Sequence, residues 1–132
     1  MSIDNNLYEK SIKILTDLIA FKTISGQDNS NLIDYCEKIL NNIRIDTFKV
    51  YDDDKKRVNL FGTLKAKNQS TKKPIILSGH TDVVPVSKGW SSDPFVATIK
   101  NDKLYGRGSC DMKGFIACTL AYAPVSYTHL TL

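Results

Sequence analysis

The amino-acid sequence predicts an α/β fold, in which helices flank a mixed sheet. Three observations lead to this class: two apolar patterns of helical spacing, two stretches of alternating residues after them, and an uninterrupted apolar run at residues 75–77. Of the 132 residues, 42% are hydrophobic and 24% charged, which is typical of an ordinary globular domain.

Two helices are predicted in the first third of the chain. Residues 7–21 carry a wide apolar stripe, in which Ile12 and Ile19 belong to one face. Residues 31–42 repeat apolar side chains at intervals of three and four, and Ser30 can cap the start of that helix.

Strands are predicted next. Residues 45–51 and 57–66 alternate in polarity, so we expect a hairpin whose solvated tip holds the acidic and basic residues 52–56. The run 75–77 has no polar alternation, which is typical of a central strand covered on both faces.

The second half predicts a further hairpin and a helix. The hairpin pairs residues 96–99 with 104–105 around Asn101 and Asp102, and the helix covers 112–121. Residues 125–132 abandon the helical pattern and carry no formal charge. We interpret them as a tail of foreign or frame-shifted sequence.

Composition excludes several classes of protein. The formal net charge of +4 is spread over the whole length, which argues against a nucleic-acid partner. No apolar stretch approaches the ~20 residues of a membrane span, and Asp4 stands where a signal peptide carries basic residues. Three cysteines without a close pair indicate free thiols, with Cys36 and Cys118 expected in the core. We therefore expect a cytoplasmic protein with no membrane partner.

A first candidate site follows the apolar run directly. His80 and Asp82 stand at the predicted strand's carboxyl end, where open α/β sheets bind their ligands. With a side-chain period of two they can face the same way, so that the carboxylate can support a metal-binding imidazole. The alternative is a histidine at a strand end beside an Asp in a turn.

A second candidate site is Asp111, which a glycine turn delivers just ahead of the last predicted helix. Its two carboxylate oxygens could contact two cations, as two-metal hydrolases require. The alternative is a helix N-cap. Gly106 and Gly108 lack the further residues of a phosphate-binding loop, and no motif sets a histidine beside Cys110 to make it a nucleophile.

Three blocks in order, residues 77–86, 89–95 and 104–114, resemble the signatures of the M20 family of zinc aminoacylases and peptidases. The resemblance covers the chain from about Leu7 to Ala123. It implies that residues 1–124 are the N-terminal portion of a zinc-peptidase-like catalytic domain without its lid domain.

The resemblance also implies a role for each candidate residue. His80 would be a zinc ligand, Asp82 the catalytic-site carboxylate that orients the His80 ring, and Asp111 the bridge between two zinc ions, with cobalt as an alternative metal. The bond between Asp111 and Met112 matches a position where the family has a non-proline cis peptide.

The implied activity is hydrolysis of a small N-acyl amino acid. Within the family the blocks are most similar to enzymes that convert N-acetyl-ornithine to ornithine and acetate in arginine biosynthesis; removal of a succinyl group from diaminopimelate, or dipeptide cleavage, is the alternative. The family's glutamate general base, two further ligands and lid domain, through which a homodimer could form, have no counterpart here, and no Asp or Glu follows Asp111. The 132-residue chain itself is therefore expected to be inactive, and a non-enzymatic α/β fragment is the alternative of another class.

Overall fold

The structure, a computed structural model, describes residues 5–65 and 73–129 and has an α/β fold. Its elements, in chain order, are α1 (Asn5–Ala20), α2 (Ser30–Asn42), β1 (Asp46–Tyr51), β2 (Val58–Thr63), β3 (Thr98–Lys100), β4 (Lys103–Tyr105) and α3 (Gly114–His129). The predicted fold class is confirmed, and both N-terminal helices begin and end within two residues of their predicted bounds. Within the described ranges, no helix has the length and apolar character needed to cross a membrane.

The three helices enclose the core. Their buried apolar side chains meet Val58 of β2 in one cluster, which contains Ile14, Leu18, Leu32, Ile33, Cys36, Ala117, Leu120 and Ala121. The start of α2 differs from the prediction, because Ser30 is its first residue and not its cap. The Ser30 N–H donates to Asp28 Oδ1 at 2.7 Å, so the aspartate before the helix satisfies the free amide.

Strands β1 and β2 form the predicted hairpin, which packs on α2. Lys49 on the inner side of β1 lies 2.6 Å from both Asp34 and Glu37 of α2. On the opposite face, Phe48 and Phe61 stack with ring centroids 4.7 Å apart and remain about half exposed. The apolar alternation in β1 therefore marks the outer face of the hairpin.

The strands pair differently from a single mixed sheet. β1–β2 and β3–β4 are separate two-stranded antiparallel ladders, and one isolated parallel bridge joins Ile24 to Val83. The buried strand predicted at 75–77 is wrong: Ile75 and Ile76 are 89% and 81% exposed and belong to no described ladder. An apolar run shows that a segment can be covered, but the described part of the chain supplies no segment that covers this one.

The last hairpin forms around the predicted turn, whereas the last helix differs from its predicted bounds. Asn101 and Asp102 take left-handed conformations at the tip of β3–β4, as a tight hairpin turn requires. Helix α3 begins at Gly114 and passes Pro124 to end at His129, so its predicted end at residue 121 is wrong. All three cysteines are free, but Cys118 is exposed and does not belong to the core.

A buried lysine joins the end of α1 to the start of α3. Lys113 has no exposed surface, and its ammonium donates to the carbonyl oxygens of Leu18 and Phe21 at 2.8 and 2.7 Å. These oxygens belong to the last turn of α1 and the residue after it, where helix carbonyls lack intrahelical partners. Desolvation lowers the pKa of Lys113 from 10.5 to about 8.

This pKa gives stability a distinctive pH dependence. Between about pH 8 and 10.5 the unfolded chain holds a proton on Lys113 that the folded chain lacks, so the free energy of unfolding should rise with pH by up to about 3 kcal/mol. Urea unfolding of the wild type and of Lys113→Met across this range measures the effect. Subtracting the two curves removes the contributions of other groups, and parallel curves would contradict the prediction.

Candidate active site

A cavity of about 240 Å³ lies where three segments converge. The segment after α1 contributes Ser25, the loop before β3 contributes His80 and Asp82, and the turn before α3 contributes Arg107 and Asp111. The structure thus brings together all three residues that the sequence singled out.

His80 stands between two carboxylates. Its Nε2 lies 3.0 Å from Asp111 Oδ1. On the other side of the ring, Nδ1 lies 3.1 Å from the Asp82 carbonyl oxygen and 3.3 Å from Asp82 Oδ1. Both ring nitrogens face acceptors, so the Nδ1–H can donate to Asp82 and, while no metal is bound, the Nε2–H can donate to Asp111.

The turn Ser109–Lys113 presents Asp111 to His80. Gly108 precedes it in a left-handed conformation (φ 83°), and its carbonyl accepts the Lys113 N–H at 2.9 Å. The peptide between Asp111 and Met112 is cis, as the resemblance implied. The capping alternative is not supported, since α3 begins at Gly114 and the Asp111 carboxylate contacts His80.

The charges around His80 set its protonation. Desolvation alone would lower the pKa of His80, but the hydrogen bond to the Asp82 backbone and the Asp111 carboxylate together raise it above 6.5. The site therefore attracts a proton to His80 when no other cation is present. The same arrangement would attract a metal cation.

The atoms that face each other suit a shared metal ion. Two ligand atoms on one tetrahedral zinc stand about 3.3 Å apart, close to the 3.0 Å between His80 Nε2 and Asp111 Oδ1. Among the described residues there is no group of three or more His, Cys, Asp or Glu side chains suited to one ion. Residues 5–65 and 73–129 therefore bring two ligand atoms together here, fewer than the three protein ligands of a typical catalytic zinc site.

Sequence reasoning missed two residues of the cavity. Ser25 donates to Asp82 Oδ2 at 2.5 Å, across 57 positions of sequence. The Arg107 guanidinium lies 5.2 Å from the centre of the Trp90 ring, and its buried Nε has no hydrogen-bond partner in the structure. The glycines on both sides of Arg107 were a signal for that residue, whereas nothing near Ser25 in the sequence distinguished it from a loop serine.

Comparisons with known proteins identify relatives over most of the chain. Residues 76–128 match the model of peptidase family M20/M25/M40. Acetylornithine deacetylase of Myxococcus xanthus is 39% identical over 109 residues, 80% of this chain and 28% of that protein. Succinyl-diaminopimelate desuccinylase of Rickettsia akari (strain Hartford) is 39% identical over 116 residues, 83% of this chain and 29% of that protein.

The fold has a counterpart among solved structures. The crystal structure of human carnosine dipeptidase 1 superposes with a TM-score of 0.77 at 21% identity, over 98% of this chain and 30% of that one. The chain thus spans less than a third of the length of these relatives.

Gly108 should be hard to replace for two reasons that can be separated by experiment. Alanine there meets both the left-handed strain of ~1–2 kcal/mol and a Cβ position 2.7 Å from the buried Val83. Gly26 has nearly the same φ, 84°, with no atom within 4 Å, so Gly26→Ala is a control for strain alone. We expect Gly108→Ala to lower the free energy of unfolding clearly more than Gly26→Ala; equal losses in urea unfolding would contradict the steric explanation.

Proposed function

Because the chain belongs to peptidase family M20/M25/M40 through residues 76–128, we propose that it forms part of the active site of a metal-dependent amidohydrolase. The observation that carries the proposal is the separation of 3.0 Å between His80 Nε2 and Asp111 Oδ1, with Asp82 behind the imidazole. An imidazole nitrogen and a carboxylate oxygen on one cavity wall are the donor types that zinc takes in hydrolases.

Each of the three residues has a role in this proposal. His80 and Asp111 hold the metal, and Asp111 has a second oxygen free to reach a second ion. Asp82 keeps the His80 ring in place and its proton on Nδ1, which keeps Nε2 available as a ligand. When bound, zinc lowers the pKa of a coordinated water towards neutrality and polarises an amide carbonyl.

The proposed substrate is a small N-acylated amino acid. N-acetyl-ornithine and N-succinyl-diaminopimelate are supported alike, since relatives named for each reaction are 39% identical to this chain. Both molecules carry a carboxylate, and the Arg107 guanidinium on the cavity wall is a cation that such a group can approach.

Zinc binding tests the ligand assignment directly. By isothermal titration we expect the chain to bind zinc, His80→Ala to abolish binding, and Asp82→Asn to weaken it by ~10–100-fold through loss of the ring's support. The matched control is His129→Ala, which removes the chain's other imidazole. Affinity should also fall as the pH drops through the raised pKa of His80, because the metal must displace that proton.

Equal zinc affinity in Asp82→Asn and the wild type would contradict the proposed role of Asp82 in holding the His80 ring. If His80→Ala binds as tightly as the wild type, His80 is not a ligand.

Turnover tests the reaction and the substrate. The zinc-loaded chain should release no amine from either acylated substrate above the buffer rate, because general acid–base catalysis is worth ~10²–10⁴-fold and no Asp or Glu follows Asp111. A longer protein from the same locus that supplies a glutamate base should hydrolyse one of the two and stop when a chelator is added. Its kcat/KM values for the two substrates identify the preferred acyl group; turnover by the 132-residue chain alone would contradict the incomplete-site proposal.

A further inference from the structure

The segment that follows α1 is tied to the segment that carries His80 and Asp82. The Thr23 carbonyl accepts the Val83 N–H at 2.8 Å, and the Ser25 N–H donates to the Val83 carbonyl at 2.9 Å. The Thr23 hydroxyl donates to the Thr81 carbonyl at 2.6 Å. The two backbone bonds fix the backbone of Ser25 against the residue after Asp82 without any side chain, and the Thr23 hydroxyl adds a third bond on the other side of Asp82.

The Asp82 carboxylate is shared between two partners. Oδ2 accepts the Ser25 hydroxyl at 2.5 Å, while Oδ1 lies 3.3 Å from His80 Nδ1. We propose that Ser25 is a positioning residue of the site: its hydroxyl fixes the rotation of the Asp82 carboxylate and so keeps the other oxygen on the His80 ring.

The geometry of Ser25 supports the proposal that the serine orients Asp82 and not the reverse. Its single hydroxyl proton has two acceptors in reach, Asp82 Oδ2 at 2.5 Å and the Val83 carbonyl at 3.4 Å, and the shorter, charge-assisted bond is the stronger. Its backbone is already held by Val83, whereas the Asp82 side chain is half exposed and has no other described side-chain partner than Ser25 and His80. The Ser25 hydroxyl, whose backbone is fixed, therefore orients the Asp82 carboxylate.

Lys113 holds this segment from the core side. Its ammonium binds the carbonyl of Phe21, two residues before Thr23, and Lys113 itself follows Asp111 by two residues. Ser25 thus stands on backbone that is anchored both to the segment that carries Asp82 and to the turn that carries Asp111.

The experiment separates the orientation of Asp82 from metal binding. NMR couplings between Hα and Hβ of Asp82 in the metal-free chain report whether its side chain keeps one rotamer. We expect one rotamer in the wild type and in Ser25→Thr, which retains the hydroxyl, and averaged couplings in Ser25→Ala. Ser11→Ala is the matched control, since that hydroxyl donates to the Leu7 carbonyl in α1.

Zinc affinity tests the consequence for the site, and this step rests on the proposed function. Ser25→Ala should weaken zinc binding by about 3–10-fold, less than the ~10–100-fold of losing the carboxylate support itself. In the Asp82→Asn background the same substitution should change nothing further, because its route to the metal has been removed. Thermal unfolding midpoints should stay the same in all Ser25 variants, which a merely stabilising serine would not allow.

The outcomes are distinguishable. Unchanged Asp82 couplings in Ser25→Ala, or a zinc effect that persists in full with Asp82→Asn, would overturn the role of Ser25. Averaged couplings in a chain that binds no zinc would support Ser25 as the group that orients Asp82 and count against the metal site instead.

Discussion

The buried ammonium of Lys113 is the contact on which the site depends. A charged group without exposed surface is costly unless its donors are satisfied, and here the carbonyls of Leu18 and Phe21 accept two of the three N–H groups. The bond fixes the end of α1 relative to the turn before α3. Ser25 follows the end of α1 and Asp111 lies in the turn before α3, so two of the three segments that line the cavity are anchored by the same lysine.

The candidate site residues could be predicted because residues close to them in the sequence identify them. His80 and Asp82 are two residues apart, and Asp111 lies in a glycine turn whose conformation its own neighbours determine. The hairpin at Asn101 and Asp102 was predictable for the same reason. The contacts that hold these pieces together were not, since Ser25 meets Asp82 across 57 positions and Lys113 meets Leu18 across 95. A serine in a loop and a lysine near a helix start usually face solvent, and only the folded arrangement gives them another role.

Two of the failed predictions assumed that a local sequence pattern decides a tertiary outcome. The run at residues 75–77 has the composition of a central strand, but burial requires a covering segment, and the described chain leaves Ile75 and Ile76 exposed. The loss of helical pattern predicted that the last helix ends at residue 121, yet α3 continues past Pro124 to His129. Proline removes one backbone donor and crowds the preceding turn, which costs stability without forcing every helix to stop.

The exposed apolar run has a thermodynamic consequence for the imidazole that follows it. Ile75–Leu77 leads into His80 within three residues, while the bonds that fix this part of the chain lie on the far side, at Thr81 and Val83. Covering the run would restrict the backbone on the near side and lower the entropy lost when His80 accepts a ligand. By linkage, a segment that covers residues 75–77 and a ligand on His80 would then raise each other's binding affinity by the same factor.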